Sequence, residues 1–575
     1  MMSKNVSDQM VEILTRVGVK QIFGIPGDTI DSMMESLRLQ NEIQFIIMRH
    51  EATGAFAASA QAKLTGNLGV CVACQGPGAV NLLNGLYDAA LDKVPVLAIT
   101  GQVSSDVIGT GMPQEINQLS LFNDVAIFNQ EVRSSENFPQ LLMLACQAAI
   151  NYKGVAHLSI PSDIMRQAAI PLDPRYQILK FNSMLIPSEA EIQAAAQHLN
   201  KAKKVAILYG GGAMGATEEL LRISSLLKAP LVHTTRSKDI LDNHTPNFVG
   251  GIGLMGARSG NYAASGCDLL LVVGSSFAFK EYYPHSADII QIDNHIGRIG
   301  AHVAITQGLL GDSKLTLQAL MQNLQPKTDD SFLKKAQELR EKSGNHLDYF
   351  SKPTEVGQYI HPQALTARIG QLASEDAIFC VGTGSVTVYC NNYLHLNGKQ
   401  RLLWTWNLAS LGWALGSALG CKLAMRHRQV IVPVGDGDFQ MLLADLITFV
   451  KYRLPVVFII YNNAKYRFIE LEESGEGNPA FGTDLLNPDY AKLAIAHGAH
   501  GITVTDYQQI DDALKEAFNC QKPVVIDVAV NPEELFIPPK VTPKMAVSFA
   551  ESKIKDWWIV KKIMSLIHNF MGTMH

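Results

Sequence analysis

Along most of the chain, short apolar runs rich in valine and isoleucine alternate with longer stretches whose apolar positions recur at helical spacing. Such alternation marks strand–helix–strand units and therefore parallel sheets. Polar, proline-bearing stretches cut the pattern into three blocks. Residues 1–175 break at PLDPRYQ, and residues 188–325 open their sheet with KKVAILYGGGAMGA. A charged helical segment, DDSFLKKAQELREKSGNH, and the connector SKPTEVGQYIHP lead into residues 360–532. The expected architecture is α/β: three doubly wound parallel-sheet domains, then an amphipathic tail over residues 536–575.

The first and third blocks share a plan. LGVCVACQGPGAVNLLNGLYDAALDKVPVLAITG reads as strand, glycine turn, helix, proline, strand. QVIVPVGDGDFQMLLADLITFVKYRLPVVFIIYNN repeats it, with Pro95 and Pro455 opening the second strands. Two related units in one chain suggest a ligand held between them, or between copies of them in a dimer.

Within the third block, QVIVPV is a buried strand, GDG the turn at its carboxyl end, FQMLLADLITFVKY a crossover helix and PVVFIIY the next strand. A right-handed crossover sets both strand ends on one edge of the sheet. Asp436 and Asn463 then lie side by side, where open α/β sheets bind ligands. One charged and one amide oxygen, with glycines that let the backbone approach, suit Mg²⁺ shared with phosphate. GDG alone could be only a turn and NN only a cap; their spacing is what points to a metal. In QFIIMRHEATGAFAASAQA, Glu51 follows an apolar strand and opens an alanine-rich helix. An acid there could also be no more than a partner of the helix dipole.

The tail has its own pattern. After FIPPKVTPK, which a helix does not cross easily, Trp557, Ile559, Val560, Ile563, Met564, Leu566, Ile567, Phe570 and Met571 share one half of a helical wheel. Lys555, Lys561, Lys562, Ser565, His568 and Asn569 occupy the other half, with Trp558 out of place. That suits a helix lying in a membrane interface, or one docked on its own protein or a neighbouring subunit.

Composition narrows the function classes. With 575 residues, 47% hydrophobic, the chain can bury several cores, and a net charge of −5 offers no basic field for nucleic acid. Eight cysteines in so long a chain are no disulfide framework. Cys71 and Cys74 form a C-x-x-C inside an apolar strand, where alternation sends them to opposite faces. The expectation is buried thiols in a reducing cytosol. The N-terminal stretch lacks the apolar core of a signal peptide, and no uncharged run reaches bilayer length.

GDG followed about thirty residues later by NN resembles the binding motif of the thiamine diphosphate enzymes. The resemblance implies that Asp436, Asn463 and the backbone carbonyl of Lys465 hold Mg²⁺ on the cofactor diphosphate. It implies thiamine diphosphate contacts from Glu51, Ala409, Ser410, Leu411, Asp436, Gly437, Asp438, Asn463, Ala464, Lys465 and Tyr466. RHEATGAFAA is similar to the family setting of the catalytic glutamate, here Glu51, whose carboxyl would bond the pyrimidine ring. Leu411, in WNLASLGWALGSALG, would support the bent cofactor.

The whole chain most resembles the bacterial pyruvate oxidases, and among them the quinone-reducing, membrane-associated pyruvate dehydrogenases. GIGLMGARSG, LLLVVGSSFAFKEYYPHSADIIQIDNHIGRIGAH and GLLGDSKLTLQAL are similar to their FAD-binding segments. FAD contacts are accordingly expected from Ile252, Gly253, Leu254, Met255, Ser275, Ser276, Phe277, Ala278, Phe279 and Asp293. What the resemblance implies is oxidative decarboxylation of pyruvate to acetate and CO₂, electrons passing through FAD to ubiquinone. It also implies a homo-oligomer, by family habit a tetramer, held by its tail on the inner face of the cell membrane. Acetolactate synthase, the soluble phosphate-dependent oxidase and a catalytically silent membrane-binding protein are the rival readings. Three departures bear on substrate choice: Pro113 in GTGMPQE where an aromatic is usual, Arg467 in NNAKYRF where a glycine is expected, and Cys380 in place of an aspartate.

Overall fold

The computed structural model describes residues 4–171, 178–179, 181, 184–350, 352, 359–534, 548 and 552. The amphipathic face read on the tail lies outside these residues. They build three six-stranded sheets in which every neighbouring pair is parallel. The α/β architecture expected from the alternating pattern is therefore the one observed.

From edge to edge, the first sheet runs Gln44–Ile47, Gln21–Gly24, Gly69–Ala73, Val96–Gln102, Val155–Pro161 and Ala126–Glu131. The third runs Arg401–Leu403, Ile378–Cys380, Val430–Gly435, Val457–Asn462, Val524–Ala529 and His500–Val504. Numbered within each domain, both follow the order 2-1-3-4-6-5, so the shared plan extends to topology. The middle sheet runs Gln307–Leu310, Asp288–Asp293, Leu269–Val273, Val205–Tyr209, Leu231–His233 and Phe248–Gly251. This is the 3-2-1-4-5-6 order of dinucleotide folds, which reverses between Val205–Tyr209 and Leu269–Val273.

Central strands such as Gly69–Ala73 and Val155–Pro161 are buried at every position, because helices cover both faces. Cys71 packs into one of the first domain's cores and Cys74 against the other, as alternation requires. The first and third domains share a core across two helices, Glu51–Thr65 and Trp413–Ala424. Alanines let these helices approach closely, and glycines complete the contact. A Cβ added at Gly420 would stand 2.1 Å from the Ala57 carbonyl oxygen, and one at Gly416 would stand 2.5 Å from the Phe56 Cβ. Backbone cannot yield as a side-chain tip can. Gly420→Val should therefore cost about 1–3 kcal/mol, the usual price of overpacking, read as a lower urea midpoint with the slope unchanged.

One expectation needs correction. The crossover read as a single helix is broken into Asp436–Met441, a 3₁₀ turn Leu443–Asp445 and Leu446–Lys451. The break serves Asp445, whose buried carboxylate accepts from the Arg49 amide at 2.8 Å and from Thr448 Oγ1 at 2.9 Å. A continuous amphipathic helix would not turn that acid toward the first domain. Burial raises the Asp445 pKa, and these bonds pull against the shift. Among the described residues, no helix is long and apolar enough to cross a membrane.

Candidate active site

Strand Val430–Gly435 pairs with Val457–Asn462, with Gly435 opposite Tyr461, so both strand ends reach one edge. Asp436 leaves the first end and is 2% exposed. Its Oδ2 accepts from the Ala464 amide at 2.6 Å and Asn487 Nδ2 at 2.7 Å, and its Oδ1 from the Gly437 amide at 2.9 Å. Each carboxylate oxygen can accept two bonds, which leaves Oδ1 with capacity for a cation. Asn463 Oδ1 accepts from the Lys465 amide at 3.0 Å. Burial raises the Asp436 pKa, and the three donors oppose that shift. A Cβ on Gly437 would meet the Tyr466 ring at 2.5 Å, so the turn admits no side chain. A charged oxygen, an amide oxygen and a bare turn form a donor set that suits a hard cation with phosphate oxygens.

Two other loops close on the same edge. Asp438, also buried, accepts from the Thr383 amide at 2.6 Å and from the Gly412 amide. Burial pushes its pKa up to about 7. This carboxylate therefore ties the turn to the start of helix Ser385–Tyr393 and to the segment bearing Leu411. Thr383 Oγ1 donates to the Ser410 carbonyl at 3.1 Å, and Trp404 Nε1 donates to Thr383 Oγ1 at 3.1 Å. Ala409 and Ala464 hold left-handed φ values of 54° and 55°. That strain for alanine is kept by the surrounding bonds. The Thr383–Ser385 turn was missed as a site; its signal was VGTGS following a short buried strand.

These loops open on a cavity of about 1510 Å³ that reaches the middle domain. Ala409, Leu411, Asp436, Gly437, Asp438, Asn463, Lys465 and Tyr466 line it, whereas Ser410 and Ala464 do not. From the middle domain, residues 252–255 and 275–279 line it too. A volume above the usual 300–1,000 Å³ of a single-ligand pocket suits more than one bound group. Asp293 is at the end of its strand, buried and bonded to the His295 amide at 2.9 Å, while its neighbours Asn294 and His295 reach the cavity.

Glu51 is elsewhere. It opens its helix as expected, half-buried, with Asn81 Nδ2 donating to its Oε2 at 3.0 Å. It does not line the cavity. Nearby on the first domain, Val80 and Met112 are large apolar side chains left 47% and 44% exposed. Beside the third domain's motif, Phe481 and Leu486 are 89% and 98% exposed.

The departures also find their places. Arg467 is buried against Glu470 at 2.7 Å and donates from Nε to the Glu534 carbonyl at 3.2 Å. Its charge is thus engaged within the protein. Cys380 is buried in the shared core. Pro113 belongs to an exposed loop in which the Glu115 carboxylate collects the amides of Gly109, Gly111 and Met112. Those donors lower the Glu115 pKa.

Comparison with known proteins gives three family matches. Residues 4–121 match the thiamine pyrophosphate enzyme N-terminal TPP binding domain, residues 192–320 the central domain and residues 382–528 the C-terminal TPP binding domain. A Bacillus subtilis (strain 168) protein named as thiamine pyrophosphate-containing, YdaP, is 39% identical over 97% of each chain. A pyruvate oxidase of Lactiplantibacillus plantarum is 30% identical over 95% of this chain and 91% of its own. The acetolactate synthase isozyme 2 large subunit of Escherichia coli is 29% identical over 92% and 96%.

Proposed function

The chain belongs to the thiamine pyrophosphate enzymes, and from that premise we propose that it oxidatively decarboxylates pyruvate to acetate and CO₂, delivering the electrons through FAD to ubiquinone. The observation that supports this most is the single cavity lined both by the Asp436–Asn463 edge and by residues 252–255 and 275–279. When bound, thiamine diphosphate supplies a nucleophilic carbon that stabilises the charge left by loss of CO₂, and FAD supplies a two-electron acceptor.

The chain's own groups divide the remaining work. Asp436, Asn463 and the Lys465 carbonyl would hold Mg²⁺ and orient the diphosphate, with the Gly437 turn giving close approach. Leu411, on the cavity wall, would support the bent cofactor. Asp293 and residues 252–255 and 275–279 would hold FAD. Glu51, steadied by Asn81, would exchange a proton at its carboxyl oxygen with the cofactor's pyrimidine ring. Because Glu51 stands off the cavity of its own chain, a second copy would supply it. The exposed apolar side chains Val80, Met112, Phe481 and Leu486 support such a homo-oligomer, by family habit a tetramer. Residues 536–575 would hold the enzyme on the inner membrane face.

Product analysis tests the reaction. Pyruvate with a short-chain ubiquinone should yield acetate and quinol in equal amounts without added phosphate. Acetolactate without quinol would assign the chain to the synthase reading, and acetyl phosphate with peroxide, formed only when phosphate and O₂ are supplied in a parallel assay, to the soluble oxidase.

A further inference from the structure

Where the middle sheet reverses its strand order, the cavity wall carries two arginines that lack acidic partners. Arg236 follows strand Leu231–His233, and Arg298 ends the turn Ile296–Arg298; both line the cavity. Among the described residues, neither guanidinium has a carboxylate within ion-pair distance. The nearby acids are engaged elsewhere. Asp88 and Asp92 are bonded to Lys63, Asp239 is 2.9 Å from Arg401, and Asp293 accepts from the His295 amide. Among the described residues, Arg236 donates only to the neutral Asp92 carbonyl, at 2.9 Å, and it lies 4.8 Å from the centre of the Trp406 ring.

The neighbouring backbone is bare. A Cβ on Gly211 would stand 2.8 Å from Arg236 Nε, and one on Gly212 would stand 2.8 Å from the Gly274 Cα. Trp406 also lines the cavity, and its Nε1 is buried without a partner among the described residues. Two like charges, each only partly open to water, and an orphan donor, gathered around glycine turns, are unfavourable unless an anion joins them. Forked guanidiniums match the paired oxygens of a diphosphate better than a single charge would. The glycines sit at the reversal of strand order, where such sheets bind nucleotides.

We propose that Arg236 and Arg298 form a diphosphate grip for a dinucleotide, with Trp406 Nε1 as a further donor. This deepens the flavin reading above and rests on it only for which dinucleotide is bound. Glu281, which lines the same cavity, sets a boundary: its charge disfavours ligands that extend an anion toward it.

Binding by the full-length protein, saturated with thiamine diphosphate and Mg²⁺ so that the other anion site is filled, tests the grip. FAD, ADP and riboflavin are titrated calorimetrically. Arg298→Gln should weaken FAD and ADP roughly ten- to a hundredfold, as loss of a charge-assisted bond does, and leave riboflavin and thiamine diphosphate unchanged. Arg298→Lys, which keeps the charge and loses the fork, should fall between. Arg236→Gln should act alike, but its packing on Trp406 makes Arg298 the cleaner position. Unchanged FAD and ADP affinity in both glutamine variants overturns the proposal, as does a parallel fall in riboflavin affinity. Arginine-dependent ADP binding by a protein that takes no flavin would uphold the grip and overturn the flavin reading. FAD binding that ignores both arginines would do the reverse.

Discussion

Glu51→Gln is expected to lower turnover by roughly 10²- to 10⁴-fold, the range that loss of a general acid–base group costs. Thiamine diphosphate affinity should stay within a few-fold. Glutamine keeps the length of the side chain and an oxygen for Asn81 Nδ2, but it cannot exchange a proton. Helix Glu51–Thr65 should be unaffected, because the residues that bury it run from Ala52 to Leu64 and do not include Glu51. Steady-state kinetics and calorimetry read the two quantities separately. A comparable loss of cofactor affinity would make Glu51 a structural residue.

The same variant tests whether sites are shared. Mixed with Asp436→Ala protein and allowed to exchange subunits, it should regain part of the lost activity. Hybrids would contain sites with Glu51 from one copy and Asp436 from the other. No regain under proven exchange would mean that each chain builds its own site.

Asp436→Ala alone should weaken thiamine diphosphate binding at least about a hundredfold in Mg²⁺, the upper end of what a lost outer-shell partner costs a metal site. Three donors now converge on that carboxylate, so the substitution removes a ligand and also frees Asn487 and the Ala464 amide. Chelating divalent cations in the wild-type protein should reproduce the cofactor loss and leave the fold intact. If Asp436→Ala binds the cofactor normally, the metal assignment falls.

Much of this was legible because the chemistry rests on backbone topology. GDG and NN could be placed on one edge from strand–helix–strand order alone, since a right-handed crossover allows one outcome. The alanine-rich helix opened by Glu51 is likewise legible in the sequence and is observed at Glu51–Thr65. What sequence could not supply was tertiary. Asp445 reads as an ordinary helix residue until its bond to Arg49 is seen, and that bond joins residues far apart in the chain. Arg236 and Arg298 belong to different loops, and nothing local says that both enter one cavity. Nor could Glu51 be known to stand outside the cavity of its own chain, because that depends on how the first and third domains pack. Arg467, which stands where a glycine is expected, lines the cavity and pairs with Glu470 one helical turn on.

The central claim is that the two cofactor segments act on one substrate within one cavity. Anaerobic flavin absorbance on adding pyruvate to the holoenzyme, with thiamine diphosphate and Mg²⁺ but no phosphate, tests it most directly. Bleaching, followed by return of the yellow colour with ubiquinone and scarcely with air, is the predicted result. A flavin that stays oxidised while pyruvate is consumed would contradict it.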